Sequence, residues 1–389
     1  MKSNYSRLGE YINEVNNRNT NLTVSKLIGV SMEKTFISSV ANTVGTDMSV
    51  YKILKKGQFA CKLMSVGRDQ KLPVDLYKED EDAIVSSAYF VFESIDKNIV
   101  LPDYLLMWLC RPENDRHIGY ISGGDVRGGI SWETFCNTPI RVPSIAKQKE
   151  IVAEYNTVQN CIDLNKQLIQ KLEETAQTIY KNWFVDFEFP DENGKPYKNS
   201  GGEMVESELG EIPKGWEVKS LGDVATITAG GDKPNIFSPK NNNNCIIPIY
   251  SNTTENEGLF GYTNKPTVCK KSVTISARGA IIGFTVLRTI PFVPIVRLIV
   301  VTPNNDNLLN YVFHTIQQFN YDGSGSAQGQ LTIPNVSTFK VISPQNEILK
   351  KYQKIDEVIT NNIEIEKKQT KKLKELQSLL LSKLATIKY

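Results

Sequence analysis

The sequence predicts an α+β chain: two globular mixed α/β domains in pseudo-two-fold arrangement, separated by two long antiparallel α-helices that form a coiled coil. Three observations predict it. Tyr120, Gly124, Gly128, Ile130 and Pro143 recur as Tyr321, Gly325, Gly329, Leu331 and Pro344, each 201 positions later (321 − 120, 344 − 143). Shorter echoes pair Arg7-Leu8-Gly9-Glu10 with Ser220-Leu221-Gly222-Asp223, and Leu101-Pro102-Asp103-Tyr104 with Leu308-Leu309-Asn310-Tyr311. Each copy is then followed by a long stretch without Gly or Pro. Solenoid repeats run about 20 to 50 residues and cannot bury a core singly, whereas a unit of about half this chain is a domain with its own core. Two similar surfaces in one chain suit a ligand that is itself roughly two-fold, and duplex DNA is the commonest of that kind.

Residues 1–145 form the first domain, with short β-rich runs such as AIVSSAYFVF (Ala83 to Phe92) and a helical stretch near Leu101 to Leu109. Residues 146–184 are the central helix. From Ile151 an apolar or small seam continues through Tyr155, Val158, Ile162, Asn165, Ile169, Leu172, Ala176, Ile179 and Trp183 in alternating steps of four and three. Residues 185–215, rich in Gly, Pro, Asn, Ser and Glu, read as a flexible linker. Residues 216–345 repeat the order of the first domain, with a helix near Leu308 to Phe319 and a Gly/Ser loop after it. In the last helix, 346–389, the seam runs through Ile348, Tyr352, Ile355, Ile359, Asn362, Glu366, Gln369, Leu373, Leu376 and Leu380.

At about 1.5 Å per residue the helices would be about 55 and 63 Å long, and each needs a partner for its stripe. Antiparallel pairing would bring Asn165 near Asn362, Glu366 and Gln369, a polar match that would fix register. The alternative is that each helix packs only on its own domain. The lysines at 367, 368, 371, 372 and 374 form either a solvated face or a contact for phosphates or an acidic partner.

Composition bounds the function. With 40% hydrophobic and 23% charged residues the chain is an ordinary globular protein, and no apolar run approaches the roughly 18 residues of a membrane span. MKSNYSRLGEYINEV lacks the apolar core of a signal peptide, so a cytoplasmic protein is expected. Six cysteines without CxxC spacing read as reduced, mostly buried thiols. A net charge of +2 is too mild to grip nucleic acid by bulk charge, so any DNA contact must use local patches.

Catalytic chemistry is missing from the sequence. It has no GxxxxGK[ST] loop, no GxGxxG after a strand, no GxSxG, and only two histidines, His117 and His314, both read as structural. Pro190-Asp191 with Glu217-Val218-Lys219 imitates a metal-dependent nuclease pattern, but Asp191 falls in the expected linker, whereas a metal site needs both carboxylates on rigid neighbours. Candidate DNA-binding residues are basic and amide side chains in or beside loops, Arg68, Arg116 and Arg127 in the first domain and Lys270, Lys271, Arg278, Gln328 and Gln330 in the second, together with Ser324, a small residue that lets backbone amides approach a phosphate. For each the bland alternative is a solvated loop residue. A self-contained nuclease or methyltransferase and a coiled-coil adaptor for two proteins remain the alternatives of other classes.

Lys181-Asn182-Trp183-Phe184-Val185-Asp186-Phe187-Glu188 and GGEMVESELGEIPKGWEV (Gly201 to Val218) resemble the signatures that close the central helix and introduce the second recognition domain in specificity subunits of Type I restriction-modification enzymes. The resemblance covers the whole chain. It implies two target-recognition domains, each reading one half of a bipartite double-stranded DNA target. The helices would set the spacer and dock two adenine-N6 methyltransferase (modification) subunits and two restriction subunits. The resemblance further implies that this chain is non-catalytic and binds no cofactor, the complex using S-adenosylmethionine, ATP and Mg. One departure is the far end, LLLSKLATIKY, which lacks the Trp-Phe signature, so contacts of Trp183 and Phe184 are not expected at Leu384.

Overall fold

Each duplicated half folds around the same sheet. A computed structural model describes residues 5–39, 45–123, 128–278, 281–319, 321 and 330–386. In the first domain, strands β1 (Ile12–Val15), β2 (Phe59–Cys61), β3 (Val74–Leu76) and β4 (Phe90–Ser94) pair antiparallel in the spatial order β1-β4-β2-β3. In the second, β5 (Ala225–Ala229), β6 (Ser272–Ile275), β7 (Thr285–Arg288) and β8 (Ile299–Pro303) take the order β5-β8-β6-β7. Both sheets therefore run first, fourth, second, third. Central β2 and β6 are buried along their whole length, which explains why neither shows an alternating pattern in sequence.

The short sequence echoes turn out to be joints. Leu8 and Leu221 are fully buried, and their N–H groups donate to Thr138 O (2.9 Å) and Phe339 O (2.8 Å). The following glycines let a short helix approach: a Cβ on Gly9 would lie 2.9 Å from Cys136 Cβ, and one on Gly222 would lie 3.3 Å from Ser337 Cβ. Glu10 and Asp223 then accept from the N–H of Arg7 (3.1 Å) and Ser220 (2.9 Å). The third echo works the same way. Tyr104 on α1 (Pro102–Leu109) donates its phenol to Arg141 O at 2.8 Å. Tyr311, on the matching helix of the second domain, donates to Ile342 O at 2.5 Å.

Besides α1, the helices used below are α2 (Pro112–Ile121), α3 (Ile145–Phe184), α4 (Leu309–Gln317) and α5 (Asn346–Lys383). The chain divides into one unit of Met1–Lys166 with Lys368–Tyr389 and another of Gln167–Lys367. Each unit thus holds one domain, the first half of the helix that follows it and the second half of the other long helix. In the first unit Gln377 donates to Gln159 at 2.6 Å, and in the second the rings of Trp183 and Tyr352 lie 5.8 Å apart. Within each unit the two helices run antiparallel.

On α3 the inward positions are those of the predicted seam: Val158, Ile162, Ala176 and Trp183 are buried, and Ile151, Tyr155, Asn165, Leu172 and Ile179 half-buried. On α5 the phase differs. Ile348, Tyr352 and Ile359 are buried and Leu373 and Leu380 half-buried, but Ile355, Asn362 and Leu376 are exposed, and Asp356, Ile363, Thr370 and Gln377 turn inward instead. Carrying the α3 seam forward by the repeat offset gives those inward positions, because the duplication preserved the helix phase while replacing apolar residues with polar ones. Asn165, expected to find polar partners, is half-buried on α3, and its Nδ2 has no hydrogen-bond partner among the described residues.

Two further expectations give way. Residues 185–215 are no loose linker. Met204–Ser207 and Gly210–Pro213 form a hairpin, Phe187, Phe189 and Ile212 are buried, and Phe189 stacks between Tyr197 (4.6 Å) and Trp216 (4.9 Å). A few aromatic residues suffice to fold a segment that is polar on average. Leu384 does occupy the place matching Trp183: it is buried in the core of the first domain as Trp183 is in that of the second.

Candidate nucleic-acid interface

Beside each sheet, the loop that follows the central strand is tied to the Gly-rich segment. Ile130 N–H donates to Leu63 O at 3.1 Å in the first domain, and Leu331 N–H donates to Ala277 O at 2.9 Å in the second. The next residues, Met64 and Arg278, are both exposed, and Arg278 bridges through its backbone to Gln330. Gly67 N–H donates to Gly128 O at 2.7 Å, and a Cβ there would fall 2.6 Å from Ser122 Oγ, so only glycine permits this approach. The structure thus brings Arg278 and Gln330 together. Arg127, Ser324 and Gln328 lie outside the described residues.

Other candidates are already neutralised. Arg68 pairs with Asp69 at 2.7 Å and holds that carboxyl below its usual range. Arg116 lies 3.3 Å from Glu113 on α2, and Lys271 lies 3.4 Å from Glu357 on α5. Exposed ion pairs of this kind are weak, about 0–1 kcal/mol, so they leave the side chains available to a stronger anion. Lys270 and Arg278 are exposed and carry no ion pair among the described residues. On α5, Lys368, Lys371, Lys372 and Lys374 are exposed and equally unpaired among the described residues, while Lys367 is tied to Glu257 at 2.6 Å.

One element of this edge left no mark in the sequence. Ile295 to Leu298 is a tight turn closed by Leu298 N–H to Ile295 O (3.1 Å), with Val296 at φ 55° and Arg297 at φ 58°. Left-handed geometry costs about 1–2 kcal/mol per residue with a Cβ, and such turns ordinarily use Asn and Gly. The backbone is held there by contacts of Val296 N–H with Gly231 O (2.9 Å) and Arg297 N–H with Gly230 O (2.9 Å). A Cβ on Gly230 would lie 2.6 Å from Pro294, so the two segments meet without room for a side chain. The Asn252 amide donates to Val296 O, and its Oδ1 accepts from Ala277 N–H at 2.9 Å. Nothing in VPIVRL announces a turn, because neither central residue is a turn former.

The suspected catalytic groups have structural partners. Asp191 Oδ1 accepts from Asn193 and Lys195 N–H, both at 2.8 Å, and Glu217 pairs with Lys219 at 2.9 Å. His314 is buried with Nε2 3.2 Å from Asp356. Asp356 also accepts from Asn310 (2.6 Å), Tyr352 (3.3 Å) and Thr360 (3.4 Å), which joins α4 to α5. Burial, followed by the adjacent Asp356, pushes the Tyr352 phenol far above its ordinary value. Among the described residues no group of three or more His, Cys, Asp or Glu is placed to hold a metal ion, and no helix is long and apolar enough to cross a membrane.

A family profile described as the Type I restriction modification DNA specificity domain matches residues 75–174 and 213–375. The chain belongs to the type I restriction-modification specificity subunits. It is 24% identical over 411 residues to the Type I restriction enzyme HindI specificity subunit of Haemophilus influenzae, covering 86% of each chain. Identity to the MjaIX specificity subunit of Methanocaldococcus jannaschii is 26% over 311 residues, 75% of this chain and 69% of that one. The crystal structure of the S subunit of a Type-I restriction-modification system from M. genitalium shares the fold, with a TM-score of 0.57 at 13% identity over 98% of this chain and 95% of that chain. DNA binding follows from membership of this family.

Proposed function

We propose that each domain of this specificity subunit reads one half of a bipartite duplex target while α3 and α5 set the gap between the halves. The observation that carries this is the repeated construction of the units: the same four-stranded order, the same tyrosine joint and the same antiparallel pair of helix halves occur in both. A long helix is a stiff spacer, and stiffness is what a ruler needs.

Catalysis belongs to partner polypeptides in this reading. Two modification subunits use S-adenosylmethionine to methylate adenine, two restriction subunits use ATP and Mg, and the assembly works in the cytoplasm. Exposed apolar side chains on the long helices support docking there: Leu164, Leu376 and Leu379 in the first unit, and Leu168, Ile355, Val358 and Ile365 in the second. Such residues beside a helix seam are costly in water unless another helix covers them.

The test is to insert one four-residue helical turn after Lys171. About 6 Å of added helix, at about 3.4 Å per base pair, should change the preferred gap by one or two base pairs and leave both half-sites unaltered. An unchanged gap in a methylation-site assay would rule out the ruler.

A further inference from the structure

We propose that Arg297, presented by the Ile295–Leu298 turn, is a base-reading residue of the second domain that takes the major-groove edge of a guanine. The proposal rests on the half-site reading given above and names one of its recognition groups. Val296 and Arg297 both adopt positive φ, a geometry that favours Gly and Asn, so the turn is kept for what it displays and not for ease of folding.

Its position is fixed from several sides. The N–H groups of Val296 and Arg297 donate to the carbonyls of Gly231 and Gly230, Ile295 N–H donates to Tyr250 O at 2.9 Å, and the Asn252 amide holds Val296 O. Base readout needs this fixity, because a guanidinium fork must approach guanine O6 and N7 along one direction, whereas a phosphate contact tolerates a mobile side chain.

The charge is available as well. Arg297 is exposed and has no ion pair among the described residues, unlike Arg68 and Arg116, which face acids. Asn252 also accepts from the N–H of Ala277, the residue before Arg278, so one amide links the segments that carry two unpaired arginines. In the first domain the turn before the corresponding strand, closed by Tyr89 N–H to Ser86 O at 3.0 Å, has no positive-φ residue and no basic residue. The two domains thus differ at this place, as readers of different half-sites should.

The experiment uses the full chain assembled with its modification subunits and maps methylated adenines for wild type, Arg297→Ala, Arg297→Lys and the double variant Val296→Asn with Arg297→Gly. The double variant relieves the turn while removing the guanidinium, so a folding defect cannot mimic the result. Arg297→Ala and the double variant should both relax the motif at one base pair of a single half-site, with discrimination there falling about 5- to 150-fold, as expected for loss of a bidentate base contact. Arg297→Lys should not restore it. An unchanged motif beside a two-part wild-type motif would overturn this proposal alone, and so would a uniform loss of methylation across sequences, which marks a phosphate contact. A wild-type complex that methylates no two-part motif would overturn the half-site reading and this proposal with it.

Discussion

The two units use one construction with different contacts at its central joint. In the second, Asp356 on α5 is buried among Asn310, His314, Tyr352 and Thr360, so α4 and α5 are fastened by hydrogen bonds. In the first, the position 201 residues earlier is Tyr155, which packs against an apolar cluster that includes Met107 and Trp108. A duplicated fold can keep its geometry while the chemistry of a joint changes, here with Asp356 answering Asn310, His314 Nε2, Tyr352 and Thr360. Apolar contacts tolerate approximate shapes, whereas a polar network loses most when one member is removed.

The largest test of that contrast is Asp356→Ala. It strands Asn310 and His314 in a buried site and should cost about 3–5 kcal/mol. Hydrogen exchange should rise sharply in peptides from α4. The matching change in the first unit, Tyr155→Leu, should cost less than about 1.5 kcal/mol. Equal losses would show that the two joints are energetically alike.

Removing the side chains at the helix ends comes next. Trp183→Ala should destabilise the second unit by about 3–5 kcal/mol and Leu384→Ala the first by about 2–5 kcal/mol. Calorimetry with peptide-resolved exchange should place each loss in its own unit, and a silent Leu384→Ala would undo the equivalence of the two positions.

The glycine joints should separate by about 1–2 kcal/mol. Gly9→Ala forces a Cβ to 2.9 Å from Cys136 Cβ and should cost about 1–3 kcal/mol, whereas Gly222→Ala meets Ser337 at 3.3 Å and should cost less than about 1 kcal/mol. Urea unfolding of the two variants measures the difference.

A further expected effect is alkaline. Burial pushes the phenols of Tyr155 in the first unit and Tyr180 in the second up to about 12. The unfolded chain releases these protons near pH 10 and the folded chain does not, so the stability due to the neutral phenols is full below pH 10 and falls until about pH 12. The slope is about 1.4 kcal/mol per pH unit for each tyrosine. Denaturation at pH 9 and pH 11 should show it, and Tyr155→Phe or Tyr180→Phe should each remove one share.

Much of this was legible in the sequence because burial repeats. Leu8 and Leu221, Tyr104 and Tyr311, and the α3 seam are residues whose type is dictated by a core position, and two copies of the same position betray each other. What stayed hidden is residue choice that follows partners and not hydropathy. Asp356 and Gln377 face inward because other side chains meet them, although the apolar Ile355 and Leu376 stand beside them; the 201-residue offset from Tyr155 and Ala176, and not hydropathy, marks these inward positions. Phe187, Phe189 and Trp216 fold a polar stretch that averages as a linker. Arg297 stands on a turn made by distant residues, Gly230, Gly231 and Asn252, and no local pattern could give it.

The most direct test of the account is a domain exchange. Residues 216–345 are replaced by the corresponding domain of a specificity subunit with a different target, and methylated adenines are mapped in cells carrying the modification partner. One half of the motif should change to that of the donor, with the other half and the gap retained. A motif that changes in both halves, or in neither, would contradict the claim that each duplicated domain reads its own half of the target.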